Sequence, residues 1–295
     1  MKNGEQEYLR VATRVLHEGK PRADRTGTGT ISLFGEQMRF DISETVPLLT
    51  TKFVPWKAVI KELLWMCRGE TDASILQQQG VRIWDGNSTR EFLDARGLNH
   101  LPEGDIGGGY GHVWRYCGAQ YKTCKDDYTG QGVDQLAAVE NSLKNDPMSR
   151  RHFMTAWNPP ALESMALPPC HLSVQFYVEI DEAGTKHLSA HMFQRSVDTL
   201  LGLPFNIFSY TVLTYILAKK CGMVPKDLII STGDTHIYKD HIGCVEEQLQ
   251  RTLFSPPRLI VHDAVAAKDW KDITLDDFTL VGYEYHPAIK APMSI

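Results

Sequence analysis

Several things are scarce in this chain. No stretch reaches the roughly 20 consecutive apolar residues that a membrane-spanning helix needs. The most apolar run, Ile207 to Ala218, is broken by Ser209 and Thr214. The first residues, Met1 to Arg10, are polar, so no secretory leader is expected. A basic excess is also missing: 31 Lys and Arg face 36 Asp and Glu, for a net charge of −5. Nonspecific nucleic-acid binders carry the opposite balance, so an obligatory nucleic-acid partner is not expected, although a local basic pocket remains open. The six cysteines, Cys67, Cys117, Cys124, Cys170, Cys221 and Cys244, form no C-x-x-C pair. No histidine cluster stands at zinc-ligand spacing, so no metal is expected. A chain of 295 residues needs no covalent staples. Reduced thiols in a cytoplasm are the expectation. No repeat, low-complexity run or linker divides the chain, which is read as one domain, 1–295.

What is present is an ordinary globular balance, 42% hydrophobic and 23% charged, enough to bury a substantial core. Lys57 to Cys67 carries Val59, Ile60, Leu63, Leu64 and Cys67 at helical spacing. Ile207 to Lys220 reads as a mostly buried helix, with Lys219 and Lys220 in its last turn and Gly222 at its end. Leu172 to Ile180 alternates apolar and polar residues as a strand does. Asp181 to Gly184 makes a turn, and the alternation resumes over Leu188 to Met192, so a hairpin is predicted. Arg258 to His262 reads as another strand. Helices and strands mix without a regular βαβ rhythm, which predicts an α+β fold.

Six segments stand out for the groups they carry. In Leu167-Pro168-Pro169-Cys170-His171, two prolines fix an extended approach to the strand and would hold the thiol rigidly. Cys170 is either a nucleophile or a small buried hydrophobe. Gln194-Arg195-Ser196 can offer a guanidinium and a hydroxyl to a phosphate, or make a surface ion pair. Ser149-Arg150-Arg151 is a second cationic spot. Asp24-Arg25-Thr26-Gly27-Thr28-Gly29-Thr30 is rich in Gly and Thr but is no P-loop. Gly233-Asp234-Thr235-His236-Ile237-Tyr238 would set His236 and Tyr238 on one face of a strand. Gly107-Gly108-Gly109-Tyr110-Gly111, taken alone, reads as a flexible loop.

Taken in chain order, these segments resemble the thymidylate synthase family. The likeness extends to Thr50-Thr51-Lys52, Glu62-Leu63-Leu64-Trp65, Ile83-Trp84-Asp85, Ala156-Trp157-Asn158 and Leu201-Gly202-Leu203-Pro204-Phe205-Asn206-Ile207. It covers residues 5 to 295, including the tail His286 to Ile295. Leu93 to Gly104 and Tyr128 to Asp134 resemble the eukaryotic and viral branch. The resemblance implies an α+β fold with a large mixed sheet packed with helices, and a homodimer formed through the sheet. It implies that Cys170 attacks C6 of dUMP. The C5 carbanion then takes a one-carbon unit from 5,10-methylenetetrahydrofolate, giving dTMP and dihydrofolate.

The same resemblance assigns roles. Tyr110 helps remove the C5 proton, and Glu62 is the general acid/base carboxylate. Arg25, Arg195 and Ser196 hold the phosphate, joined by Arg150 and Arg151 from the other subunit. Their positive field would favour the Cys170 thiolate. Asn206 reads O4 and N3 of a uracil, where an Asp would suit cytosine. His236 and Tyr238 read the ribose, and His171, Gln194 and Asp198 line the nucleotide. Lys52, near the glutamyl tail, lies on the folate side with Ile83, Trp84, Asn87, Asp198 and Gly202. Ile295 belongs to the apolar tail that closes the site.

The chain departs from the family pattern at Gly108 and Gly109, where Pro and Val are usual. These glycines are expected to loosen the loop and open space beside Tyr110. Phe208, Val197 and Phe193 also depart from it and are expected near the chemistry. Extra water there would yield 5-hydroxymethyl-dUMP, so a dUMP hydroxymethylase is the alternative. A non-catalytic nucleotide- or RNA-binding regulator is a third reading, which has no use for a nucleophile.

Overall fold

The structure is a computed structural model and describes residues 4–293. Its elements in chain order are α1 (Glu5–Glu18), β1 (Lys20–Arg22), β2 (Thr30–Asp41), α2 (Trp56–Cys67), α3 (Ala73–Gln78), α4 (Arg90–Ala95), α5 (Tyr110–Tyr116) and α6 (Gln135–Asn145). They continue with β3 (Phe153–Thr155), β4 (His171–Ile180), β5 (Lys186–Asp198), α7 (Gly202–Cys221), β6 (Val224–Tyr238), α8 (Ile242–Leu249), β7 (Arg258–Val261) and β8 (Phe278–Val281). This is the α+β mixture expected.

Six strands form one sheet in the order β1-β2-β6-β5-β4-β3. All neighbours are antiparallel except β5 and β6, which run parallel. Parallel neighbours need a crossover, and α7 supplies it. The hairpin β4–β5 is the one predicted. Arg258–Val261 is a strand too, but it pairs with β8 in a separate ribbon.

The sheet has two unlike faces. Val174, Phe176 and Val178 of β4, Met192 of β5, and Met38 and Phe40 of β2 point into the core. Their alternate neighbours face outward, including Tyr177, Phe193 and the half-exposed Phe153 on β3. Helix α1 lays Tyr8, Val11, Ala12 and Val15 on the inner face, one stripe at helical spacing. Helix α2 buries the five residues whose spacing predicted it, together with Trp65 and Met66.

Helix α7 is apolar on nearly all sides because β5, β6 and α2 pack around it. Each fully buried Leu, Ile or Phe on it contributes about 1.5–3 kcal/mol. Its last turn sends Lys219 Nζ to Asp263 at 2.8 Å and Lys220 Nζ to the Lys268 carbonyl at 2.6 Å. Gly222 ends it at φ 65°, a left-handed position that suits a residue without Cβ. The consequence for function is placement. The starts of β4 and α7 and the ends of β5 and β6 meet at one end of the sheet.

Candidate active site

Pro168 and Pro169 deliver Cys170 to the start of β4. Antiparallel pairing brings the end of β5 beside it, and the Arg195 N–H donates to the Cys170 carbonyl at 2.8 Å. The Arg195 guanidinium then folds back. Nε donates to the Pro169 carbonyl at 2.7 Å and Nη2 to the Pro168 carbonyl at 2.9 Å, with Nη2 3.6 Å from the Cys170 thiol. It also lies over the Trp157 ring at 6.0 Å. Arg195 therefore fixes the loop that carries Cys170 and also places a positive charge beside it. Burial pushes the Cys170 thiol up, against the pull of Arg195 and then Arg25. The expected cationic field is present, but burial outweighs it.

Tyr110 opens α5. Its hydroxyl accepts the Cys170 N–H at 2.7 Å. Its ring stacks on His171 with centroids 3.9 Å apart and 11° between planes. Burial, then the Cys170 charge, raises the phenol well above its ordinary range. It stays protonated, so it can serve as a hydrogen-bonding group but not as a free phenolate base. His171 is buried and neutral, its pKa pulled down to about 3 by desolvation. Its Nδ1 lies 2.8 Å from the Tyr210 hydroxyl.

Glu62 comes from α2. The Trp84 indole N–H donates to its carboxylate at 2.9 Å. Burial raises its pKa to about 7, against that hydrogen bond, so it can both give and take a proton near neutrality. Asn206 stands in the first turn of α7. Its carbonyl accepts from Gln194 Nε2 at 2.8 Å, which fixes the amide. Gln194 Oε1 is buried and has no partner, an unsatisfied acceptor. Such a group costs about 1–3 kcal/mol until an N–H meets it.

The end of β6 supplies His236 and Tyr238, whose rings meet edge to face at 5.1 Å. His236 Nδ1 lies 3.1 Å from an Asp234 carboxylate oxygen. Strand pairing sets Ser196 opposite Asp234 and Asp198 opposite His236. Burial first, then Asp198 and Asp24, raises the Tyr238 phenol to about 12, with Arg25 opposing. These groups thus share one electrostatic neighbourhood. Arg25 is exposed, without an ion pair among the described residues, on a loop closed by Asp24. That carboxylate accepts the N–H of Thr26 at 2.7 Å and of Gly29 at 2.6 Å.

On the other side, Ile83 and Trp84 are half-buried against the core. Asn87 follows in a short 3-10 turn, and its buried Nδ2 has no partner. Gly202 faces open space: a Cβ there would make only an ordinary contact at 3.8 Å with Asp198. Lys52 is tethered within the chain. It is buried on the Leu200 carbonyl, and burial lowers it to about 8 against the charge of Asp198.

Arg150 and Arg151 do not join the cluster. Gln175 Nε2 donates to the Arg150 carbonyl at 3.2 Å, which ties this segment to β4 beyond Cys170. Gln175 is five residues along the strand, about 17 Å away. Both arginines are exposed and make no ion pair among the described residues. Ile295 lies outside the described residues. Among the described residues no group of His, Cys, Asp and Glu is placed to hold a metal, and no helix is long and apolar enough to cross a membrane. The six cysteines are unpaired. A hollow of about 450 Å³ lies at the opposite end of β4 and β5, lined by Asp41, Glu179 and Asp181, and takes no part in this cluster.

The chain matches the family model described as thymidylate synthase over residues 6–295. It belongs to the thymidylate synthase family. It is 49% identical to thymidylate synthase of Saccharomyces cerevisiae over 297 residues, covering 99% of this chain and 97% of that protein. It is 49% identical to thymidylate synthase of human herpesvirus 8 over 291 residues, covering 99% and 84%. The bifunctional dihydrofolate reductase-thymidylate synthase of Zea mays is 47% identical over 291 residues, 99% of this chain but only 54% of that protein. Family membership makes this chain an enzyme acting on dUMP, with 5,10-methylenetetrahydrofolate as co-substrate.

The departures from the family pattern look different in three dimensions. Phe193 points to the outer sheet face at 42% exposure, and Phe208 is wholly inside the core. Gly107, at φ 76°, could carry no side chain, since a Cβ would fall 2.2 Å from the Ser164 carbonyl. The space beside Gly108 is filled by Tyr121, so the expected opening is not found there. Residues whose roles the sequence left unmarked include Tyr210 under His171. Another is His241, which lies 3.7 Å from Asp198 and donates through Nε2 to the Pro292 carbonyl at 2.7 Å.

Proposed function

We propose that this chain is a thymidylate synthase that converts dUMP and 5,10-methylenetetrahydrofolate to dTMP and dihydrofolate on Cys170. The observation that carries the reading is the Cys170 loop itself. A half-buried thiol has a guanidinium at 3.6 Å, and its backbone N–H is held by the Tyr110 hydroxyl at 2.7 Å.

Residue roles follow from chemistry. The Cys170 thiolate adds to pyrimidine C6, and negative charge passes to C5 and O4. Asn206 donates to O4, while Gln194 Oε1 is an acceptor of the kind a ring N3–H satisfies. Glu62, titrating near 7, supplies and recovers a proton on the O4 side. Tyr110 guides the C5 proton to its acceptor. Arg25, Arg195 and Ser196 hold the phosphate, His236 and Tyr238 the ribose, and His171 and Asp198 line the nucleotide. Ile83, Trp84, Asn87, Asp198 and Gly202 fit the folate, with the unpartnered Asn87 Nδ2 as a donor awaiting an acceptor. The folate supplies the one-carbon unit and the hydride that reduces it. Lys52 and the terminal Ile295 complete that side. The whole chain, 1–295, serves as one catalytic domain, working in a cytoplasm.

The active form is a homodimer joined through the outward face of the sheet, where Tyr177 and Phe193 are exposed at 57% and 42%. Arg150 and Arg151 then serve the neighbouring copy's site, which accounts for two adjacent arginines without counter-ions. The test is a covalent one. A 5-fluoro-dUMP ring cannot release its C5 substituent as a proton, so the reaction stalls with Cys170 attached. Peptide mass spectrometry should find the nucleotide and folate on the Cys170 peptide of the parent and on nothing in Cys170→Ala. A label on another residue would reject the assignment.

A further inference from the structure

Asp105 is wholly buried. Its Oδ1 accepts the Tyr121 hydroxyl at 2.6 Å and the Gly107 N–H at 2.7 Å, and its Oδ2 accepts the Cys124 N–H at 2.7 Å. The Tyr121 oxygen also lies 2.8 Å from the Thr71 hydroxyl. A phenol has one O–H to donate, so Thr71 donates to the Tyr121 oxygen and Tyr121 donates its hydrogen bond to Asp105.

The Tyr121 ring is held from behind. It stacks on Tyr128 with centroids 5.6 Å apart and 13° between planes, and the His112 ring meets both edge-on, at 4.9 and 4.6 Å. The Tyr128 hydroxyl accepts the N–H groups of Lys122 and Thr123 at 2.8 and 3.1 Å. The front of Tyr121 lies on Gly108. A Cβ added there would sit 3.0 Å from its Cβ and Cγ and 3.2 Å from Cδ2. Gly108 is not in the left-handed region, so the tyrosine, and not the backbone, is what demands glycine at that position.

Three glycines in succession have little stiffness of their own. Yet they lead directly into Tyr110, whose hydroxyl must stay on the Cys170 N–H. We propose that Tyr121 is a positioning residue for Tyr110: its ring on Gly108 and its hydroxyl on Asp105 hold the glycine loop, and through it the Tyr110 hydroxyl beside Cys170. This rests on the proposed reaction and adds to it a residue that touches no substrate.

The test is steady-state kinetics of the full chain with dUMP and 5,10-methylenetetrahydrofolate. Tyr121→Ala should lower kcat about ten-fold, as a displaced catalytic group does, with the KM for dUMP changed less than about two-fold. Gly108→Ala should lower kcat in the parent, where its methyl meets the ring. In the Tyr121→Ala background the contacts with Cγ and Cδ2 are gone and only the one with Cβ remains, so Gly108→Ala should cost less there than in the parent. If Tyr121→Ala does not fold, Tyr121→Phe replaces it. The ring, freed from Asp105, can then slide aside, so Gly108→Ala should cost less there than in the parent. Parent-like kcat in Tyr121→Ala, or the same factor for Gly108→Ala in every background, would overturn the proposal. An active parent with equal factors removes this inference alone. A parent that makes no dTMP removes the reaction and this inference together.

Discussion

At the scale of single residues, the site couples buried groups to one another. Cys170 takes its setting from Arg195, the prolines and Tyr110, so removing its sulfur alone leaves the scaffold in place. Cys170→Ala should drop turnover to background while dUMP still binds, as calorimetry would show. A variant that also lost dUMP binding would mean the thiol holds the fold of the loop. Glu62 makes a prediction with a sign. Burial raises it from 4.5 to about 7. The unfolded chain releases this proton near 4.5, whereas the folded chain keeps it to about 7. Its contribution to stability is therefore whole below pH 4.5 and is lost as pH rises through 7. Glu62→Gln lacks that proton. Relative to the parent it should gain stability, on the order of 3 kcal/mol, between those limits while losing kcat. Denaturation midpoints at pH 5 and 8 would check it; parallel curves would contradict it. The segments that carry Cys170, Arg195 and Asn206 stand out in the sequence because each is short and distinctive. The protonation of Glu62, the neutral His171 and the tether of Lys52 were not legible there. They depend on burial by residues far away in the chain.

At the scale of elements, the hairpin β4–β5 and helices α2 and α7 could be read from spacing, since each presents one regular pattern to the core. The parallel pairing of β5 with β6 could not be read so directly, because register is set between strands distant in sequence. Nor could the β7–β8 ribbon, whose partner strand is four residues long. The glycine loop is the instructive miss. From sequence, Gly108 reads as freedom, and in space it is the seat of Tyr121. Helix α7 offers a direct energetic check. Phe208 is fully buried, so Phe208→Ala should cost about 3–5 kcal/mol in urea unfolding. A cost under about 1 kcal/mol would mean that neighbours close the cavity, which a helix packed on all sides should resist.

At the scale of the whole molecule, the proposed function takes Arg150 and Arg151 from a second copy. Mixing Cys170→Ala with a chain carrying Arg150→Ala and Arg151→Ala should restore activity. Half the dimers are mixed and one of their two sites is intact, so about a quarter of parental activity is expected for a two-fold assembly. No recovery on mixing would return those arginines to their own chain's surface. The outward sheet face was legible only as the polar half of an alternating pattern. Its aromatic residues gain meaning once the sheet gathers them. The central claim is the reaction itself. The most direct test is turnover of dUMP with 5,10-methylenetetrahydrofolate, with both products weighed by mass spectrometry. Equal amounts of dTMP and dihydrofolate are predicted. Tetrahydrofolate with 5-hydroxymethyl-dUMP would contradict the account and point to water reaching the Tyr110 side of the site.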